Sequence, residues 1–180
     1  SVQQNAGSVT PPAGFTNYLG ATVVAAVTPG ASDYFAVWQF IEGFNTNDLA
    51  YGTASAKTCT MSFWVYSSLT GTFGGALNNS GATRSYPFTY TISSANTWTT
   101  ISITIPGDTT GTWLTTNGIG IQVYFGLGVG SSSSGTAGSW AGANYISVTG
   151  AVSVVGTSGA TFYITGVQLE KGTTATSFDF

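Results

Sequence analysis

Between turn signals, the chain is a series of short runs in which apolar and polar residues alternate. Two runs are unambiguous: Ile101, Ile103 and Ile105 alternate with Thr100, Ser102 and Thr104, and Ile119, Ile121, Val123 and Phe125 alternate with Gln122 and Tyr124. Successive side chains on a strand point to opposite faces, so each run has one core face and one polar face. Further strands are predicted over residues 23–27, 35–42, 59–66, 74–78, 86–92, 145–148, 152–155 and 160–170, with the two alternating runs extended to 99–105 and 118–125. TPG, NTND, NNSG, PGD, NG and GTSG supply the turns between them. Ala, Leu, Glu and Lys nowhere gather at a helical period. Short strands at this spacing predict an all-β sandwich or barrel, and strands with one greasy and one polar face point to a β-sandwich of two antiparallel sheets with roughly eight to ten strands.

The stretch MSFWVYSS at 61–68 carries aromatic residues on both parities. Cys59, Met61, Phe63 and Val65 share one parity and are expected to face the core, which sends Trp64 and Tyr66 outward. Three fates fit an outward ring: stacking on a ligand, contact with another subunit, or cover by a loop of the same chain. Gln122 and Tyr124 are expected on the outer face of their own sheet. Trp38 is expected in the core, and Trp98 and Trp113, beside turns, are expected to staple loops. Pro87 lacks a ladder donor and places its strand at an edge or bulge. GLGVGSSSSGTAGSWAGAN at 126–144 is a long loop expected over a sheet edge.

The composition narrows the chemistry. Only 5% of the 180 residues are charged, so the exterior is made of Ser, Thr, Asn and Gly and interacts through hydrogen bonds and stacking. Lys57, Arg84 and Lys171 are the whole basic complement, too few for the positive stripe that a nucleic acid backbone requires. No apolar run approaches the ~20 residues that cross a bilayer. With no His in the chain, Ser-His-Asp catalysis and His-based metal sites are excluded. The six acids are Asp33, Glu42, Asp48, Asp108, Glu170 and Asp179; Asp48 and Asp108 sit in turn contexts and Glu42 and Glu170 end strands, which argues against a glycosidase carboxylate pair across one cleft. The Gly-rich GTFGGAL lacks the Lys of a phosphate loop. Cys59, the lone cysteine, reads as a buried thiol without a disulfide. The chain begins with Ser and lacks a leader, as expected of a piece of something longer.

The C-terminal run FYITGVQLEKGTTATSF (162–178), with FIEG (40–43), TMSFWVYSSLTGTFGGAL (60–77) and ISITIPGDTTGTWLTTNGIGIQVYF (101–125), resembles a family of bacteriophage virion proteins in which such a module closes a tail-fibre or other structural chain. That family in turn looks like the β-sandwich carbohydrate-binding modules. The resemblance implies a non-catalytic jelly-roll component on the surface of a virion, meeting other virion subunits as a possible homotrimer. Related modules use an acidic pair before the final Val to help hold Ca²⁺; here the matching positions are Thr165 and Gly166, so a calcium ion would have to draw on Asp33, Glu42, Asp48, Asp179 and backbone carbonyls.

Residues 13–180 are read as one jelly-roll domain and residues 1–12 as a linker or N-terminal arm. The expected function is the binding of a neutral polysaccharide or host-surface glycan through Trp64, Tyr66, Tyr124 and Gln122. Gln39, Asn78, Asn144 and Gln168 are candidate hydrogen-bonding partners. The alternative is a purely structural virion domain whose outer aromatics are buried between copies.

Overall fold

The computed structural model describes all residues 1–180. Eleven strands follow one another: β1 (Val2–Gln4), β2 (Leu19–Thr22), β3 (Tyr34–Glu42), β4 (Cys59–Ser67), β5 (Gly71–Asn79), β6 (Ser85–Ile92), β7 (Thr99–Ile105), β8 (Ile119–Val129), β9 (Ser134–Gly135), β10 (Ser147–Val148) and β11 (Thr161–Lys171). The helical content is confined to single 3₁₀ turns, and no helix is long and apolar enough to cross a membrane. Nine strands form two antiparallel sheets, ordered β1-β2-β11-β4-β7 and β3-β8-β5-β6, while β9 and β10 make a small parallel pair outside them. Consecutive strands repeatedly change sheet, β2 to β3 and β7 to β8, and β11 returns between β2 and β4. This interleaving is the jelly-roll arrangement, and the protein is an all-β jelly-roll sandwich.

The inner faces meet as the alternation requires. Cys59, Met61, Phe63 and Val65 are 0–1% exposed, whereas Trp64 and Tyr66 lie on the opposite side of β4. Phe63 reaches across to Tyr90 of β6 (5.2 Å between ring centres) and Phe125 of β8 (5.0 Å), both edge to face. The Cys59 thiol accepts or donates a bond to the Tyr51 hydroxyl at 3.1 Å, and burial, only partly offset by that bond, pushes its pKa up. The Tyr90 hydroxyl is buried without a partner. Tyr90→Phe removes an unsatisfied group and is expected to stabilise the fold by about 1 kcal/mol, seen as a rise in Tm of about 2–4 °C in a thermal melt.

Three expectations about elements are corrected. Residues 23–27 are not a strand: after β2 only Val23 and Val27 keep backbone bonds, to Ala160 and Val155, and Val24 is 77% exposed. An apolar run without alternation has no preferred sheet face, and here it spans the gap between the sheets. Residues 152–155 are not a strand either: a 3₁₀ turn at Val154–Gly156 plugs Val154 and Val155 into the core rather than joining a ladder. Trp38 is not a core residue; it is 51% exposed on the outer face of β3. β3 carries apolar residues on both parities, and pairing with β8 decides which faces inward: Val37 and Ile41 stand opposite the core residues Phe125 and Ile121, Trp38 opposite Tyr124.

The segment after β8 caps an edge and then crosses a face. Ser85 and Ala141 exchange backbone bonds at the edge strand β6, and the Gly138 N–H donates to Pro87. Ser147 then lies over β5 and β8, where a Cβ on Gly74 or Gly126 would come within 2.5 and 2.8 Å of its hydroxyl. Glycine at these two positions is what allows the segment to sit flat on the sheet. At the front of the chain, β1 pairs with β2, so the first residues join the five-stranded sheet.

Candidate functional site

The outer face of the four-stranded sheet is built from aligned rows. One row runs Trp38, Tyr124, Ala76, Pro87 across β3, β8, β5 and β6; the next runs Phe40, Gln122, Asn78, Ser85. The segment 130–153 covers the β5–β6 side through Ser85 and Gly74 and reaches onto β8 at Gly126, which leaves the stretch of β3 and β8 around Trp38, Phe40 and Tyr124 open. There Trp38 and Tyr124 stand 6.3 Å apart with their planes 39° from parallel, and Phe40 is 44% exposed beside them.

The hydrogen bonds beneath the rings fix Tyr124. Its hydroxyl donates to Gln122 Oε1 at 2.6 Å, and Gln122 Nε2 donates to the carbonyls of Asn79 (2.9 Å) and Ser80 (3.2 Å). Every polar atom of the Gln122 amide is therefore engaged, and the phenol is held in one orientation from below. Burial and then the neighbouring Tyr34 phenol raise the Tyr124 pKa, so it stays a neutral donor and acceptor at physiological pH. Beside Gln122, Asn78 Nδ2 donates to the exposed Asn144 Oδ1 at 3.0 Å, and Asn78 Oδ1 has no partner. The surface that results pairs flat apolar rings with neutral amides. Such a surface suits a molecule with C–H faces and hydroxyl edges.

Trp64 and Tyr66 occupy the outer face of the other sheet, so the four side chains named from the sequence divide into two pairs. Tyr66 is stacked on Tyr163 (5.2 Å, 9°) and packed by Trp98, whose Nε1–H donates to Thr10 O at 2.9 Å. Tyr18 closes the cluster against Tyr163 and Trp98 and ties its hydroxyl to the arm at Ala6 and Val9. The chain's own N-terminal arm thus lies on the rings around Tyr66. Trp64 sits farther along the strand, half-buried between Thr165 and Thr100. Gln168, on the same sheet, binds the C-terminal tail through Thr176 and Asp179. Gln39 turns its amide to the Phe40 carbonyl at 2.7 Å.

Asp108, Asp48 and Glu170 are tied up in structural roles. Asp108 takes both nitrogens of a bidentate Arg84 at 2.7 and 2.8 Å, together with the Thr110 N–H and hydroxyl. Asp48 pairs with Lys171 at 2.7 Å. Glu170 accepts from Thr176, which with Gln168 lowers its pKa. Asp48 and Glu170 share a hollow of about 60 Å³, far below the ~300 Å³ of small ligand pockets. No three acidic or thiol side chains come together as a metal site. At the two positions matching the acidic pair of related modules, the Thr165 hydroxyl donates to Asn17 O and Gly166, at φ +59° in a bulge, is covered by the Phe15 ring.

The signal for Trp38 was present in the sequence but undecided. FAVWQFIE at 35–42 is apolar on both parities, a pattern of a strand whose outer face also carries rings, and only the position of β3 at an edge separates this from a strand buried on both sides.

No family model matches the chain, and no curated protein sequence matches it. Similar solved structures include one described as a CBM4 module, at 14% identity over 95% of this chain and 85% of that one with a TM-score of 0.47. Another is the family 11 carbohydrate-binding module of a cellulosomal cellulase of Clostridium thermocellum, at 15% identity over 96% and 82% with a TM-score of 0.41. Both are β-sandwich carbohydrate-binding modules.

Proposed function

We propose that the protein is a non-catalytic module that binds neutral glycans on the open β3–β8 face of its four-stranded sheet. The observation that carries this reading is the exposed Trp38 beside a Tyr124 whose hydroxyl is held from below by Gln122. A sugar ring lays its C–H face on the indole, and hydroxyls at its edge meet the Tyr124 phenol and the Asn144 amide. Gln122 positions Tyr124 rather than touching the sugar. Trp64, with the hydroxyls of Thr100 and Thr165 around it, is a second and smaller contact on the opposite sheet, and Tyr66 braces the N-terminal arm beneath it. The absence of His and the engagement of Asp108, Asp48 and Glu170 in structural pairs support a role without bond cleavage. The setting we attach to the module is the virion surface that the sequence resemblance implies, where many copies raise the effective affinity of a weak site.

Affinity electrophoresis through gels carrying neutral polysaccharides tests the reading. The wild-type protein is expected to be retarded by at least one of them. Loss of about 80 Å² of apolar contact in Trp38→Ala costs about 2 kcal/mol, a weakening of about thirtyfold, while Trp64→Ala is expected to weaken binding less. Migration unaffected by every neutral polysaccharide, or retention that survives Trp38→Ala, overturns it.

A further inference from the structure

Of the four strands at sheet edges, three are short, polar or covered. β1 has three residues, β6 carries Pro87 and is capped by the Ala141 bridge, and β7 turns Thr100, Ser102 and Thr104 outward. β3 is different. Its nine residues contain no Lys, Arg or Pro, and its one charge, Glu42, is at the end. No backbone-to-backbone hydrogen bond outside its pairing with β8 begins or ends within residues 34–42, so apart from the Phe40 carbonyl, which accepts the Gln39 amide, the other side of the strand offers free N–H and C=O groups. Tyr34, Phe35, Trp38 and Phe40 are 40–51% exposed along it. Folded proteins ordinarily guard such an edge with charge, proline or cover, because it templates pairing with another strand.

The core is also unfinished at this edge. Between β3 and the strands β2 and β11 lies an apolar gap of about 430 Å³ walled by Val37, Ile41, Phe125, Ile164 and Leu169. A second gap of about 640 Å³, under the N-terminal half of β3, is lined by Val23, Phe35, Leu127 and Val155. Both run alongside the unpaired edge of β3.

We propose that β3 pairs antiparallel with β3 of a second copy of this chain, so that the two four-stranded sheets join into one of eight strands. The strand is complementary to itself. A two-fold axis normal to the sheet sets a residue opposite its own copy and keeps inner and outer faces in register. The register that pairs all nine residues centres on Trp38, with Phe40 facing the copy's Ala36, Gln39 its Val37, Ile41 its Phe35 and Glu42 its Tyr34. Aromatic and aliphatic groups then meet one another on both faces, and the Glu42 carboxylates stay apart. A net charge of −3 on each chain adds little long-range repulsion. The inward side chains of the copy approach the mouths of both gaps. The association closes at two subunits and involves no glycan, so it stands or falls apart from the binding function.

Nine paired residues a side make a small interface, and the dimer is expected to depend on concentration. Sedimentation equilibrium of the full chain from micromolar to sub-millimolar is expected to move from the 18.4 kDa monomer to twice that mass. Gln39→Lys sets an inward-pointing charge in the middle of the edge without touching Trp38 or Tyr124, and is expected to raise the dissociation constant at least tenfold with an unchanged near-UV circular dichroism spectrum. Hydrogen exchange on the wild type gives a second readout that needs no variant: amides of residues 34–42 are expected to gain protection as concentration rises. A monomer throughout, a trimer, association indifferent to Gln39→Lys, or a monomer whose gaps take up laurate instead would each overturn the proposal.

Discussion

Phe63→Ala is expected to destabilise the protein by about 4 kcal/mol, whereas Trp64→Ala, the next residue, changes stability by no more than about 1 kcal/mol. Phe63 is 1% exposed and lies edge to face against both Tyr90 and Phe125, which come from the opposite sheet. Removing the ring leaves a cavity at the point where the sheets meet, and close-packed strands around it can collapse only in part. Trp64 points away from that core and is only half-buried, between its cross-strand partners Thr100 and Thr165. For a chain of this length the Phe63 change corresponds to a fall in Tm of about 10 °C. Denaturant titration of both variants checks the pair, and a larger loss in Trp64→Ala would reverse the assignment of the two faces of β4.

Asp108→Ala is expected to cost about 3 kcal/mol, because it leaves the Arg84 guanidinium, 18% exposed, without its partner. The consequence extends to the face proposed to bind glycans. Asp108 holds the turn after β7, where the Pro106 carbonyl accepts the Trp140 Nε1–H at 2.7 Å and Trp113 packs edge to face on Trp140. These contacts anchor the segment that crosses the four-stranded sheet. The carboxylate also makes stability depend on pH. Burial by itself would raise its pKa, but the bonds from Arg84 and Thr110 outweigh burial and lower it below the ordinary value. A group lowered in this way stabilises the fold above the unfolded-state pKa of about 3.9 and ceases to do so as pH falls through the folded-state value. Thermal melts of the wild type from neutral pH to below about pH 4 are therefore expected to show a loss of Tm that is smaller in Asp108→Asn. An equal acid sensitivity in the two proteins would assign the loss to other carboxylates.

Much of the fold follows from local alternation, and the reason is geometric. β7 matches the predicted 99–105, and the inward set Met61, Phe63, Val65 and the outward set Trp64, Tyr66 follow from the two-residue period of a strand. Pro87 marks an edge strand because it lacks a donor, and Cys59 is buried with its apolar parity partners. Alternation relates residues only within one strand, however. It is silent for β3, which is apolar on both parities, and for residues 23–27 and 152–155, whose branched apolar side chains fill space outside any ladder.

Local pattern and composition thus suffice for an all-β sandwich, a surface with few charges, the lack of histidine chemistry and the parity of each clearly alternating strand, and the family resemblance adds the jelly roll. The packed sheets were needed to show that Tyr124 and Gln122 sit with Trp38 while Tyr66 lies under the arm with Tyr18 and Trp98, and that β3 has a partner on one side only. These outcomes depend on which strands become neighbours across long stretches of chain, and strand order is settled by the packing of two whole sheets rather than by any local pattern of side chains.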